Sequence, residues 1–194
     1  MPMAPGPVLA STHPLRGMSP LPTADPVQAL DVAVQEIFEQ MLCIACVAQP
    51  AGQEGARPAV QDAPPQPVSA IMGFAGNISG SCTLRARPTA VAAISHHLLA
   101  MPLPPIDALA QDANALDNTM LDAFGELCNM VAGGWKNHIP GLDSGCSLSM
   151  PTIVYGANYV LHTMGDRVLV ERTYLFGEFQ MQITIRCDAH TRLF

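Results

Sequence analysis

"RVLVERTYLFGEFQMQITIRC", residues 167–187, decides the fold. Its second half alternates strictly: Phe179, Met181, Ile183 and Ile185 fall on one side, and Glu178, Gln180, Gln182, Thr184 and Arg186 on the other. Successive side chains of a strand point to opposite faces, so this pattern predicts a strand with one buried and one wetted face. Upstream, "CSLSMPTIVYG" (146–156) and "NYVLHTM" (158–164) are rich in β-branched and aromatic residues with turn signals between them. The last part of the chain therefore reads as about four strands. Further back, "VSAIMGFAGNISGSCTLRA" (68–86) holds two strand-like runs around the turn sequence "GNISG", a hairpin.

The remaining periodic segments are helical. At "DPVQALDVAVQEIFEQMLCIACV" (25–47), Asp25 suits an N-cap, Pro26 the first helical position, and Leu30, Val34, Ile37, Phe38, Met41 and Leu42 recur at helical spacing. "PTAVAAISHHLLAM" (88–101) opens on a proline in its first turn and ends before a second proline cluster. A third helix is expected over about 116–136. The order helix, hairpin, helix, helix, strands predicts an α+β domain: a largely antiparallel sheet of about six strands with helices packed on one face. Residues 1–25, with a proline every few positions, read as a flexible arm, and 26–190 as the domain. Within the domain, 49–67 is rich in Pro, Gly and Ala without periodicity and reads as a long surface loop.

Composition excludes several functions. Hydrophobic residues make up 49% and charged ones 13% of the 194, enough apolar material for a sizeable core. The net charge of -7, with a single lysine (Lys136) and no basic run, argues against a nucleic-acid partner. No stretch is long and apolar enough to span a membrane, and no signal-peptide core opens the chain, so a cytoplasmic location is expected. The 6 cysteines lie mostly in apolar runs and read as reduced core thiols. Cys43 and Cys46 form a CxxC, but no second pair completes a zinc set. His96, His97 and His138 have no carboxylate or histidine at ligand spacing, and no metal site is expected.

The third helix contains "FGELCNMVAGGWK", residues 124–136. With Glu126 at zero and about 100° per residue, Met120, Leu121, Phe124, Leu127, Cys128, Val131 and Trp135 form a broad apolar stripe. Asp122, Glu126, Asn129 and Gly133 lie within about 60° of zero, and Met130 at about 40° borders them. A solvated face accounts for such a line by geometry alone. Asn129 is nevertheless a mediocre helix former, and Gly133 and Gly134 cost roughly 1 kcal/mol each relative to alanine, unless close packing requires them.

The stretch resembles the CheC/CheX/FliY chemotaxis phosphatases, whose signature is Asp or Ser, three residues, Glu, two residues, Asn, and a proline some twenty-two further on. Here Asp122, Glu126, Asn129 and Pro151 take those places. "SMPTIVYG" and "IMGFAGNISGSCTL" resemble the CheX branch, and the likeness runs from about residue 27 to 188. The first helix lacks a second copy: Asp31 is followed by Gln35 in place of Glu, and Glu36 by Glu39 in place of Asn. A single motif is similar to CheX rather than to CheC. The 49–67 loop and "GGWKNH" depart from the pattern.

The resemblance implies a CheC-like fold and a phosphatase acting on the aspartyl phosphate of a CheY-type response regulator, which holds Mg2+ in its own site. No cofactor bound by this chain is implied. Asn129 would hold a water in line with phosphorus, and Glu126 would pair with the partner's active-site lysine. Asp122, Met130 and Gly133 would contact the partner, with Asp122 equally open to being a solvated acid, and Pro151 would end a loop before "TIVYG". The alternatives are a receiver-binding module without catalysis and an assembly domain like relatives in the flagellar switch. Relatives dimerise through their sheets, and the run 178–187, read as an edge, would permit a homodimer.

Overall fold

The computed structural model of the chain describes residues 25–50, 67–103, 116–142, 144–156 and 159–188. The expected arm (1–25) and loop (49–67) lie, apart from their ends, outside these residues.

Helix α1 (Pro26–Ile37) begins as its sequence dictates: the Asp25 carboxylate accepts the Val27 N–H at 2.9 Å, and Pro26 fills a position that needs no donor. It widens into a π turn over Phe38–Leu42 and stops at Cys43, whose φ of 57° is left-handed. The chain then turns back, and Val47–Ala48 (β1) pairs antiparallel with Leu175 and Tyr174. The hairpin forms as expected, with β2 (Val68–Gly76) and β3 (Gly80–Ala86) in register from Val68 opposite Ala86 to Phe74 opposite Gly80. Helices α2 (Pro88–Leu99) and α3 (Asn118–Asn137) follow. The remaining strands are β4 (Cys146–Leu148), β5 (Thr152–Val154), β6 (Arg167–Phe176) and β7 (Phe179–Cys187).

All pairings are antiparallel, in the order β1-β6-β7-β3-β2-β4, with β5 also on β2. The inward residues Ala70, Met72, Leu84, Met181, Ile183 and Ile185 join Leu30, Phe38, Ile94, Phe124, Leu127 and Trp135 of the helical layer in one apolar cluster. Burial of each Met, Ile, Leu or Phe side chain among these contributes about 1.5–3 kcal/mol, which is why the alternation in β7 fixes which face the helices cover.

The expected antiparallel sheet of about six strands is present, with seven among the described residues: β1 was not foreseen, and "CSLSMPTIVYG" splits into β4 and β5 around Met150 and Pro151. Two expectations are corrected. The described part of 158–164 forms no strand. It crosses the outer sheet face instead, where Ser69 Oγ donates to Tyr159 Oη (2.9 Å), Tyr159 Oη donates to the Pro67 carbonyl (2.8 Å), and Ser81 Oγ donates to the Met164 carbonyl (2.7 Å). Gly165, with φ +99° and the Arg186 carbonyl carbon and Cys187 nitrogen each 2.8 Å from where a Cβ would stand, permits this close crossing. The outer face is therefore covered in part, and Ser69, Ser81 and Thr83 are buried. Finally, β7 is not an edge: β3 and β6 occupy both its sides, so it cannot pair edge to edge with a second copy. Such pairing would have to use β1 or the β4–β5 side.

Asp31 ties α1 to the sheet. Its carboxylate receives Arg172 Nη2 at 2.6 Å, Arg172 Nε at 3.2 Å and Tyr174 Oη at 2.7 Å. Burial, then the Asp31 hydrogen bond, pushes the Tyr174 phenol well above its usual range, so it stays a donor. We expect Asp31→Ala to destabilise the fold by about 1.5–3 kcal/mol, the range for hydrogen bonds to a charged group, read as a lower urea midpoint.

Candidate functional site

Helix α3 is built to be held firmly on one side and open on the other. Asp117 caps it, accepting the Met120 N–H at 2.8 Å. Every residue of the expected apolar stripe, Met120, Leu121, Phe124, Leu127, Cys128, Val131 and Trp135, is buried. Trp135 packs on Phe74 with ring centroids 5.7 Å apart and donates from Nε1 to the Pro26 carbonyl at 3.1 Å. Gly134 lets α1 approach: a Cβ there would stand 3.0 Å from Ala33 Cβ. Its cost in helix propensity is thus compensated by packing.

On the open side Asp122 and Glu126 are exposed, and Asn129 and Gly133 half-buried, all on one face. Met130 sits at the boundary, partly buried against the core. The Asn129 carboxamide nitrogen reaches the two Glu126 oxygens at 3.5 and 3.4 Å. Those are long contacts, so the carboxamide can turn to another partner at little cost. One group that both donates and accepts, held on a buried helix, can orient a water. Lys136, near the end of the same line, donates to the Cys146 carbonyl at 3.1 Å and so anchors α3 to β4. Gly133 lies beside β4, with Leu148 Cδ1 4.0 Å from where its Cβ would be.

The chain also brings Pro151 to this helix. It immediately precedes β5, as the sequence suggests, and its Cγ stands 3.4 Å from where a Cβ on Gly125 would be, with Ile153 Cδ1 at 3.5 Å. The β4–β5 connection thus lies against α3 one residue from Glu126. Sequence reasoning missed Ser149 and Met150 in that connection. The only signal was an apolar residue placed before a proline between two strand-like runs.

Several other reactive groups have structural partners or are buried, while Cys43 is an exposed free thiol at the end of the first helix. Cys128 Sγ donates to the Ala70 carbonyl at 3.6 Å. The Cys82 thiol is pushed up by its hydrogen bond with Cys128 and then by burial. Burial pushes the Cys46 thiol up to about 12, the opposite direction from an activated thiolate nucleophile. His138 Nε2 meets Glu36 Oε2 at 3.0 Å, bridging α3 to α1, while His96 engages the Met101 carbonyl beyond the end of α2. Among the described residues no group of three or more His, Cys, Asp or Glu is arranged to hold a metal ion, and no helix is long and apolar enough to cross a membrane.

Fold and site together define a class: a small α+β domain that lays a polar helix face above a single antiparallel sheet. The family described as Chemotaxis phosphatase CheX matches residues 68–171, more than half of the chain and all of α3. The chain belongs to that family. Solved structures agree on the fold. Chemotaxis protein CheX from Vibrio vulnificus superposes with a TM-score of 0.63 at 17% identity, covering 85% of this chain and 97% of that one. CheX from Desulfovibrio desulfuricans gives 0.61 at 14%, covering 85% and 100%. A CheX-CheY-BeF3-Mg+2 complex from Borrelia burgdorferi gives 0.55 at 14%, covering 84% and 98%. No curated protein matches the sequence.

Proposed function

We propose that this chain hydrolyses the aspartyl phosphate of a CheY-type response regulator, with Asn129 positioning the attacking water and Glu126 docking on the partner's active-site lysine. The observation that carries this is the pairing of Glu126 and Asn129 on the open face of an otherwise buried helix, in a member of a chemotaxis phosphatase family. The CheX of Borrelia burgdorferi, solved with CheY, BeF3 and Mg2+, supports a receiver as the partner.

In this mechanism the receiver supplies the phosphoaspartate and a Mg2+ bound in its own site, and this chain supplies position. The Asn129 carboxamide accepts one hydrogen bond from a water and aims its oxygen at phosphorus opposite the aspartyl oxygen. The new O–P bond forms as the P–O bond to the aspartate breaks, releasing inorganic phosphate and a free carboxylate, and the water's proton leaves with the phosphate or to solvent. An acyl phosphate is already activated, so alignment of the water can supply most of the acceleration. Glu126, three residues away on the same face, fixes the register by meeting a cation. Asp122, Met130 and Gly133 line the contact around the pair.

These roles separate kinetically. Glu126→Gln keeps the shape but removes the charge. It is expected to raise KM for the phosphorylated receiver by about tenfold or more, with kcat changed much less, because a charge pair across an interface governs docking. The measurement is phosphate release at varied receiver concentration. A fall in kcat at unchanged KM would instead assign Glu126 to the chemical step.

A further inference from the structure

Met150 is 86% exposed, the most exposed large hydrophobic side chain among the described residues. An apolar side chain so open is normally carried on a loose loop tip. This one is carried on a braced connection. Ser149 pairs its backbone with β2, its N–H donating to the Gly73 carbonyl at 2.8 Å. Its hydroxyl accepts the Gly73 N–H at 2.9 Å and donates to the Met150 carbonyl at 2.9 Å. On the other side Pro151 is seated on α3 at Gly125. On the helical turn Gly125 falls about 100° to one side of Glu126, the same side as Asn129 at about 60°, whereas Met130 falls about 40° to the other. The polar pair is thus flanked by Met130 on one side and by the Met150 connection on the other.

We propose that Met150 is a docking anchor for the receiver domain: it packs on apolar side chains at the rim of the receiver's phosphorylation site while Glu126 and Asn129 enter that site. This rests on the phosphatase reading of Glu126 and Asn129 and extends it to a second element. The occupant is the same receiver because the connection is seated on α3 beside the polar pair, so a body covering that pair meets Met150 at its edge. Methionine suits the task, since its unbranched thioether adapts to an irregular apolar surface. A polar centre with an apolar flank is also how a charge contact gains affinity as well as register, since the apolar contact is what excludes water around it.

The test uses the full chain with a phosphorylated receiver, measuring KM and kcat for phosphate release and Kd for the receiver loaded with BeF3 and Mg2+. Met150→Ala is expected to raise KM and Kd about tenfold, the effect of losing most of a buried methionine contact, with kcat and melting temperature unchanged. Met150→Leu restores affinity, and Val160→Ala, a control at another site 78% exposed, leaves every value unchanged. Met150→Ala binding like the unaltered chain, while Glu126→Gln still weakens binding, would overturn the anchor and leave the phosphatase reading intact. An unaltered chain that neither binds the receiver nor speeds its dephosphorylation would overturn both.

Discussion

Asn129→Ala is expected to lower the rate of receiver dephosphorylation by about 10²–10³-fold, the cost of losing one positioned hydrogen-bonding group at a reacting centre. Binding should persist, because Glu126 and the surrounding surface remain. Stability should not fall. Asn129 is half-buried on the open face, and its side-chain contacts to Glu126 are long, whereas alanine is the better residue in a helix interior by several tenths of a kcal/mol. A variant that melts at the same or a slightly higher temperature, binds the receiver loaded with BeF3 and Mg2+, and fails to turn over would assign Asn129 to the chemistry. A variant that melts lower and loses binding would make it a structural residue. Asn129→Asp adds a further check: it keeps the size but loses the donor and adds a charge beside Glu126, and it is expected to be as inactive as alanine.

Trp135→Ala is expected to destabilise the fold by about 3–5 kcal/mol, the range for emptying a large aromatic site in a core. Trp135 is 1% exposed, packs on Phe74 of β2, and satisfies its indole N–H on the Pro26 carbonyl at the start of α1. Its removal therefore loosens α3 from the sheet and from α1 together. Against a typical total of about 5–15 kcal/mol the loss is large. Urea unfolding followed by circular dichroism should show a midpoint shift of that size. Tryptophan fluorescence, otherwise a convenient probe, disappears with the chain's only tryptophan. Trp135→Phe should recover much of the packing but not the hydrogen bond, and fall between.

The central part of the fold was legible because local sequence carries it. The alternation of Phe179, Met181, Ile183 and Ile185 is a property of one strand, and the wheel of α3 needs only 3.6 residues per turn, so both appear in the structure as read. What escaped depends on neighbours. Ser69 and Ser81 on the outer sheet face are engaged by the crossing segment at 159–165, and the run "NYVLHTM" has strand-like composition wherever it lies. Likewise, nothing within 178–187 distinguishes an edge strand from a central one. β3, far away in sequence, supplies the partner that makes it central.

The site divides the same way. Asp122, Glu126, Asn129 and Gly133 share a face because they share a helix. Met150 and Pro151 reach that face only through the pairing of β4 and β5 with β2 and through the absence of a side chain at Gly125. The run from Asp31 through Gln35 to Phe38 on α1, which departs from a second motif at its last two positions, is accounted for in the same terms. Asp31 is spent on Arg172 and Tyr174, and Phe38, at the position where a second asparagine would stand, is fully buried against Phe176. Restoring glutamate at position 35 would not create a second polar face.

The most direct test of the central claim is turnover with the chain held below the receiver in concentration. A CheY-type receiver is phosphorylated on its aspartate with Mg2+ present, the chain is added at about one part in twenty, and release of phosphate is followed to completion. The mechanism proposed for Glu126 and Asn129 predicts that all of the receiver is dephosphorylated faster than it decays alone, with the rate proportional to the amount of chain and abolished by Asn129→Ala. Phosphate release at the receiver's own rate, or a burst no larger than the chain added, would contradict it.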